Sequence, residues 1–379
     1  MVENELSRQG LLKYVAIKAI RPFARTTTKL MWNQKIEFNK KSVKRILFIQ
    51  LYGIGDYLMS TPAIVSISKE FPNADKIVLC KKAVKEIAEL TPTISKVFTP
   101  EELQNEKFDL VVSLNDSAEA SIIAWNLKPI YAIGFLKGNK VNANFDIVPQ
   151  TALETKSWTE NYLLIPKALG IKEPKNKDYL IKLKKSKKID LIIKKNKLNK
   201  FIVFDPNTRK GTEAKAWGNH NYAELAKKLL EANYPLVFCG GKDETNSTET
   251  ISLLSKLIQN KKSKASKILN LTGETTLSEA AYLFSKAALF VGNDSGLMHL
   301  SLAVNCPTIG IFGPTDSKIL FSKKKNTFAL QVRNTEWPCY TRGTFDIKPR
   351  QKEMDKIKPT LIFSKALHLL GKNPKLVIK

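Results

Sequence analysis

The sequence predicts an α/β protein in two halves, each a parallel sheet covered by helices on both faces. Three observations carry this. Short apolar runs alternate with helix-like stretches along nearly the whole chain, the order expected of βαβ units. The alternation occurs twice, once before and once after a Lys- and Asn-rich stretch ending near Lys200. The chain is 379 residues long, enough for two separate cores.

In order, RILFIQLYGIGDYLMSTPAIVSISKEF reads as strand, glycine turn and helix, and KIVLC as the next strand. Strands follow at KVFT, DLVVSL and PIYAIGF, with helical stretches between them. A helix from about Ser157 to Leu169 ends at Gly170, and the Lys- and Asn-rich stretch after it reads as a linker. The second alternation opens with FIVFDPNT and a helix near Tyr222–Glu231, then the strand PLVFCGG and a helix near Thr245–Gln259. The strand ILNL and a helix near Leu277–Lys286 precede a compact unit, AALFVGNDSGLMHLSLAVNCPTIGIFGPTD. That unit is a buried strand, a polar turn at Asn293–Gly296, a helix from about Leu297 to Val304 and a second buried strand. Residues 360 to 370 read as a last amphipathic helix. The domain boundaries expected are a basic leader 1–44, a first domain 45–185, a second domain 186–358 and a terminal helical segment 359–379.

Composition narrows the function. The net charge is +27, concentrated where residues 1 to 45 carry eleven Lys/Arg against three acids and residues 167 to 200 carry thirteen Lys against three. Such a field attracts polyanions: nucleic acid, an anionic membrane surface or a phosphorylated substrate. Nucleic acid is disfavoured, because no zinc-finger spacing, helix-turn-helix pattern or aromatic-interleaved basic motif is present. Cys80, Cys239, Cys306 and Cys339 lie far apart, with no metal or disulfide spacing, which fits a reducing cytoplasm. With three histidines, a His-based metal centre is not expected. No apolar run is long enough to span a bilayer. In the leader, Leu11, Leu12, Val15, Ala16, Ala19 and Ile20 share one helical face with Lys13, Lys18 and Arg21 mostly opposite, a pattern suited to the surface of an anionic membrane.

The candidate site residues sit where strands end. After β-strand ALFVG, the helix start brings unpaired N–H groups and a positive dipole end, so Ser295, Gly296 and Leu297 form a candidate phosphate cradle beside Asp294. His299, in the same helix's first turns, can touch a phosphate or pin its own turn. Thr208 and Lys215, after the strand that ends at Asp205, can reach phosphate oxygens. Gly241 and Glu244 repeat the strand-end pattern, and Glu244 can accept hydrogen bonds from a ribose or simply occupy the first turn of its helix. In the first half, Gly53 and Gly55 precede a helix, but the third glycine of a dinucleotide fingerprint is missing. Asp56 places a carboxylate at that helix start, suited either to capping or to catalysis across the expected cleft.

Taken together, these segments resemble glycosyltransferase family 9, the bacterial heptosyltransferases and their relatives. The resemblance rests on ILFIQLYGIGDYLMSTPAI, FDPNTRKGTEAKAWGNHNYAELAKKL, FCGGKDE and NLTGETTLSEAAYLFSKAALFVGNDSGLMHLSLAVNCPTIGIFGPTD, with a weaker echo in MDKIKPTLIFSKALHLL. It implies a GT-B architecture, two Rossmann-like domains facing across a cleft, with the last helix returning to the first domain. It implies an inverting, metal-independent transfer needing no cofactor, with ADP-heptose as donor and an anionic glycolipid of the lipopolysaccharide core as acceptor at the inner leaflet. Asp56 matches the family's general base. Thr208, Lys215, Asp294, Ser295, Gly296 and His299 match its phosphate-site segments, and Glu244 falls near its nucleoside position. The same fold with another nucleotide sugar, or a silent nucleotide-sugar-binding subunit, are the alternatives. The chain departs from the family pattern at Gln50, where many relatives carry Arg at the first strand's end, and in retaining only Cys339 of a C-terminal cysteine cluster.

Overall fold

In the computed structural model, residues 38–372 are described except 105, 116, 136–145, 149–156, 259–266, 335–336 and 339–349. The amphipathic part of the leader and Cys339 therefore lie outside the described residues. The first sheet contains β1 (Arg45–Gln50), β2 (Asp75–Cys80), β3 (Lys96–Phe98), β4 (Leu110–Ser113), β5 (Tyr131–Phe135) and β6 (Asp146–Val148). The second contains β7 (Ile202–Asp205), β8 (Leu236–Phe238), β9 (Ile268–Asn270), β10 (Leu289–Asn293), β11 (Thr308–Phe312) and β12 (Thr327–Gln331). The helices are α1 (Ile54–Glu70), α2 (Lys82–Glu89), α3 (Ala118–Leu127), α4 (Trp158–Tyr162), α5 (Leu164–Ala168), α6 (Lys187–Lys195) and α7 (Asn219–Glu231). They continue with α8 (Asn246–Leu257), α9 (Leu277–Lys286), α10 (Gly296–Ala303), α11 (Ser317–Leu320), α12 (Gln351–Met354) and α13 (Pro359–Leu369).

The two sheets have the same topology. Their orders are β3-β2-β1-β4-β5-β6 and β12-β11-β10-β7-β8-β9, and neighbouring strands run parallel. In each, the order reverses beside the first strand, between β1 and β4 and between β7 and β10. That is the Rossmann switch point, outside whose carboxyl ends ligands of such sheets bind. Near-continuous apolar runs explain why the strands sit centrally: Ile46–Ile49 and Leu289–Val291 are fully buried, as strands covered on both faces must be.

Packing joins the halves. Leu47, Ile49, Ile77 and Val111 face a core closed by α3, whereas Ile46, Phe48 and Val112 face the opposite way, toward α1. That second core runs on into the other domain through Met298, Leu300 and Leu302 of α10. Two glycines make the approach of α1 and α10 possible: a Cβ on Gly296 would lie 3.0 Å from the Cβ of Ile54, and one on Gly55 would lie 2.6 Å from Cδ2 of His299. Glu86 of α2 adds a polar tie, accepting from the N–H groups of Leu277 (2.9 Å) and Ser278 (3.0 Å) at the start of α9, where a carboxylate is favourable.

Three expectations are corrected here. The terminal helix does not return to the first domain: Ile362, Phe363, Ala366 and Leu367 of α13 bury against Tyr222 and Leu225 of α7 in the second domain's own core. The Lys-rich stretch is not only a linker, because α6 forms within it, capped by Ser186 and anchored by buried Ile189. The single helix expected from Ser157 to Leu169 is two, α4 and α5, meeting at Leu163. Among the described residues, no helix is long and apolar enough to cross a membrane.

Candidate functional site

The site is built on the turn after β10. Asn293, fully buried, is a strut: its Oδ1 accepts from Trp217 N–H (3.1 Å) and Tyr222 O–H (3.2 Å), and its Nδ2 donates to the carbonyls of Pro206 (3.0 Å) and Asn207 (3.3 Å). It thereby fixes the loop that carries Thr208 against the loop that carries Lys215. Asp294 follows, buried, with Oδ2 accepting from Lys215 Nζ (2.7 Å) and Thr315 Oγ1 (2.9 Å), and Oδ1 lying 3.8 Å from His299 Nε2. Burial works against the charge, but Lys215 and His299 outweigh it and hold the carboxyl well below the usual carboxylate range.

Ser295 is the N-cap of α10. Its Oγ accepts from Met298 N–H (3.2 Å) and donates to Asp205 Oδ2 (2.7 Å), so its one donor hydrogen is spent within the protein. The amides of Gly296 and Leu297 open the helix, where no preceding turn supplies an acceptor. The backbone, not the serine side chain, is what this turn offers an anion. Gly296 and Leu297 are half-buried.

His299 closes the site from below. It is 4% exposed, wedged against Gly55 of the first domain, with Nδ1 3.3 Å from Tyr179 Oη. Tyr179 belongs to the segment leaving the first domain, where Leu180 N–H donates to Thr61 Oγ1 of α1 (2.9 Å). Burial, with Asp294 and Asp56 nearby, pushes the Tyr179 phenol up, so it stays neutral. Asp294, His299 and Tyr179 thus form one polar path joining the two domains.

Across from the cradle, Gly53 caps α1 without any side-chain hydrogen bond and is exposed, and Asp56 stands in the first turn, half-buried. Asp56 and Asp294 both lie close enough to disfavour the Tyr179 phenolate. At the far edge, Glu244 accepts from Gly241 N–H, and a Cβ on Gly240 would collide with Asn207 and Glu244, so this loop is packed onto the end of β7.

The structure therefore gathers Gly53, Gly55 and Asp56 with Lys215, Asp294, Ser295, Gly296, Leu297 and His299, while half-buried Thr208 lies on the adjoining loop and Gly241 and Glu244 at the end of β8. Gln50 is corrected: it does not line the cleft but is fully buried under it, its Oε1 accepting from Asn115 Nδ2 (2.9 Å) and from Tyr52 N–H (3.3 Å). Sequence reasoning missed Tyr179, Thr315 and the role of Asp205. Nothing near Tyr179 in sequence signals a contact with His299. Asp205 is recognisable as the end of a strand, but its partner Ser295 is ninety positions away. Burial pushes the Cys80, Cys239 and Cys306 thiols up, which makes them packing residues rather than nucleophiles. Among the described residues, no group of His, Cys, Asp and Glu is placed to hold a metal ion.

Comparison with known proteins adds a family. The model of glycosyltransferase family 9 (heptosyltransferase) matches residues 99–346. Lipooligosaccharide heptosyltransferase 2 of Haemophilus influenzae is 27% identical over 358 residues, spanning 86% of this chain and 99% of that protein. Lipopolysaccharide heptosyltransferase 2 of Escherichia coli is 37% identical over a shorter stretch of 115 residues, 30% of this chain and 31% of that protein. The structure of the E. coli ADP-heptose LPS heptosyltransferase II superposes with a TM-score of 0.69 at 21% identity, covering 86% of this chain and 98% of that one. The E. coli heptosyltransferase WaaC with ADP gives 0.62 at 16% identity, with 86% and 98% covered. The architecture is that of these GT-B enzymes.

Proposed function

Because the chain belongs to glycosyltransferase family 9, we propose that it transfers heptose from ADP-heptose to a lipopolysaccharide core or related envelope glycan, with inversion and without a metal. Full-length likeness to a lipooligosaccharide heptosyltransferase supports the sugar and the acceptor class. The observation that carries the mechanism is the meeting of two helix starts, α1 and α10, with Asp56 on one and the open amides of Gly296 and Leu297 on the other.

In this reading the donor's pyrophosphate rests on the start of α10. Lys215, held by Asp294, and the helix amides stabilise the negative charge that develops as ADP departs, the task a divalent cation would otherwise perform. Asp56 takes the proton of the acceptor hydroxyl as its oxygen bonds to the anomeric carbon from the face opposite the leaving diphosphate. One C–O bond forms, one breaks, and the configuration inverts. Glu244 and Gly241, at the end of β8, are positioned for the nucleoside. Holding both substrates between the domains supplies orientation and keeps water from the donor.

A donor screen tests the reading. ADP-heptose raises the melting temperature, since a ligand bound only by the folded chain stabilises it, and UDP-sugars do not. A shift with UDP-sugars alone would assign a different donor. The basic leader adds a second proposal, attachment to the inner leaflet of the bacterial inner membrane on its cytoplasmic side. Deleting residues 1–43 then abolishes co-sedimentation with anionic vesicles at physiological salt. Unchanged sedimentation would remove the leader as an anchor.

A further inference from the structure

The two faces of α6 differ in character. Ile189 is fully buried, and Ile192 and Ile193 pack half-buried beside it against the core shared by the domains. On the opposite face stands Leu191, 67% exposed. Its neighbours one helical turn away on either side are Lys187, Lys188, Lys194 and Lys195, all exposed. The one acid of the helix does not offset them, because Asp190 is turned to Tyr282 and accepts from its hydroxyl (2.9 Å). Lys188 reaches Glu279 (2.9 Å) and the carbonyl of Glu274 (2.6 Å), while Lys187, Lys194 and Lys195 have no acidic partner among the described residues.

A second leucine, Leu183, is 44% exposed between exposed Lys182 and Lys184 in the segment that leads into the helix. That segment is held by the first domain, where Leu180 N–H donates to Thr61 Oγ1 and Lys182 N–H to the carbonyl of Leu90 (2.6 Å). The helix itself is held by α9 of the second domain through Tyr282 and Glu279. α6 is thus fastened on both sides of the domain seam.

We propose that the outer face of α6 is a contact for an anionic phospholipid bilayer, in which Leu191 enters the headgroup layer and Lys187, Lys194 and Lys195 meet lipid phosphates. The inference rests on the reading that the chain works at the inner leaflet, and adds to the leader a contact made by the folded body. Charge and apolarity together select this partner. Lysines alone suit any polyanion. A leucine left exposed at the centre of a lysine ring is poorly solvated in water and finds no counterpart on a nucleic-acid backbone. A lipid–water interface offers both, acyl carbon beneath a layer of phosphates, and lysine stems are long enough to keep their ammonium groups at that layer. One leucine and a few lysines hold weakly, so this contact acts once the leader keeps the chain at the surface, where two linked contacts reinforce each other.

The experiment uses the full chain and vesicles of phosphatidylcholine, alone or mixed in equal parts with phosphatidylglycerol. The wild type partitions onto the mixed vesicles. Leu191→Ser weakens that partition about threefold or more, and the double change Lys187→Gln with Lys194→Gln weakens it about tenfold or more. Both leave the urea midpoint unmoved, because the replaced side chains are exposed. A dye on Leu191→Cys, read against the wild type labelled in the same way, is quenched by brominated acyl chains. Partition equal to the wild type in both variants, or a dye that stays in water on bound protein, overturns this inference and leaves the leader as the anchor. Weakening by the lysine changes with none by Leu191→Ser assigns the face to a soluble polyanion and overturns it too. A wild type that ignores the mixed vesicles overturns the inner-leaflet reading, and this inference with it.

Discussion

The two strand-to-helix turns at the switch points have the same topology and opposite construction. After β10, the polar side chains are committed: Asn293 braces two loops, Asp294 pairs with Lys215 and Thr315, Ser295 caps and donates at once, and His299 is wedged under Gly55. After β1, the cap is a bare, exposed glycine, and Asp56 is left half-open in the first turn. A turn that must hold charge in one geometry is immobilised by a network. In the reaction proposed above, the half-exposed turn presents Asp56 to the incoming hydroxyl. The difference in construction reads as a division between binding and chemistry.

The largest effect expected is on the open turn. Asp56→Asn keeps the shape and removes the base, so transfer falls by about 10² to 10⁴ while donor binding and folding are retained, the range a lost general base costs. Equal loss of donor affinity, read by calorimetry beside a transfer assay, would erase the division. Next comes the immobilised turn: Asp294→Asn removes the carboxylate charge that faces largely buried Lys215, which costs about 3 kcal/mol of stability in urea unfolding. Donor affinity drops with it, in contrast to Asp56→Asn. A variant of unchanged stability would mean that the network is not under tension from the buried charge. The smallest effect lies at the junction: Gly55→Ala puts a Cβ 2.6 Å from Cδ2 of His299. Overpacking there costs about 1–3 kcal/mol, because the ring is held by Tyr179 and Asp294 and has little room to give. Gly296→Ala, meeting Ile54 at 3.0 Å, costs less. A reversed ranking would show that the interface yields at His299 and not at Ile54.

Much of this was legible in the sequence because it depends on local pattern. Buried parallel strands need apolar runs, so β1, β7, β10 and β11 announce themselves, and glycine or polar turns mark where each ends. The positions of Asp56 and of the α10 start follow from those patterns alone. α6 was hidden by its charge: Lys187, Lys188, Lys194 and Lys195 flank a short apolar stripe of Ile189, Ile192 and Ile193, and Leu191 is exposed, so the Lys-rich composition reads as a linker. β12 is short and mostly half-buried, and α13 carries an apolar face with no mark of which domain it will cover. The contacts Asp205–Ser295 and His299–Tyr179 arise only when sheets and linker come together, and spacing along the chain cannot encode them.

The most direct measurement is backbone amide hydrogen exchange with and without saturating ADP, read at both helix starts. Slowed exchange at Ser295, Gly296 and Leu297, with little change at Gly53 through Asp56, is the result the account predicts. Protection confined to the first-domain turn, with the α10 amides unaffected, would contradict it.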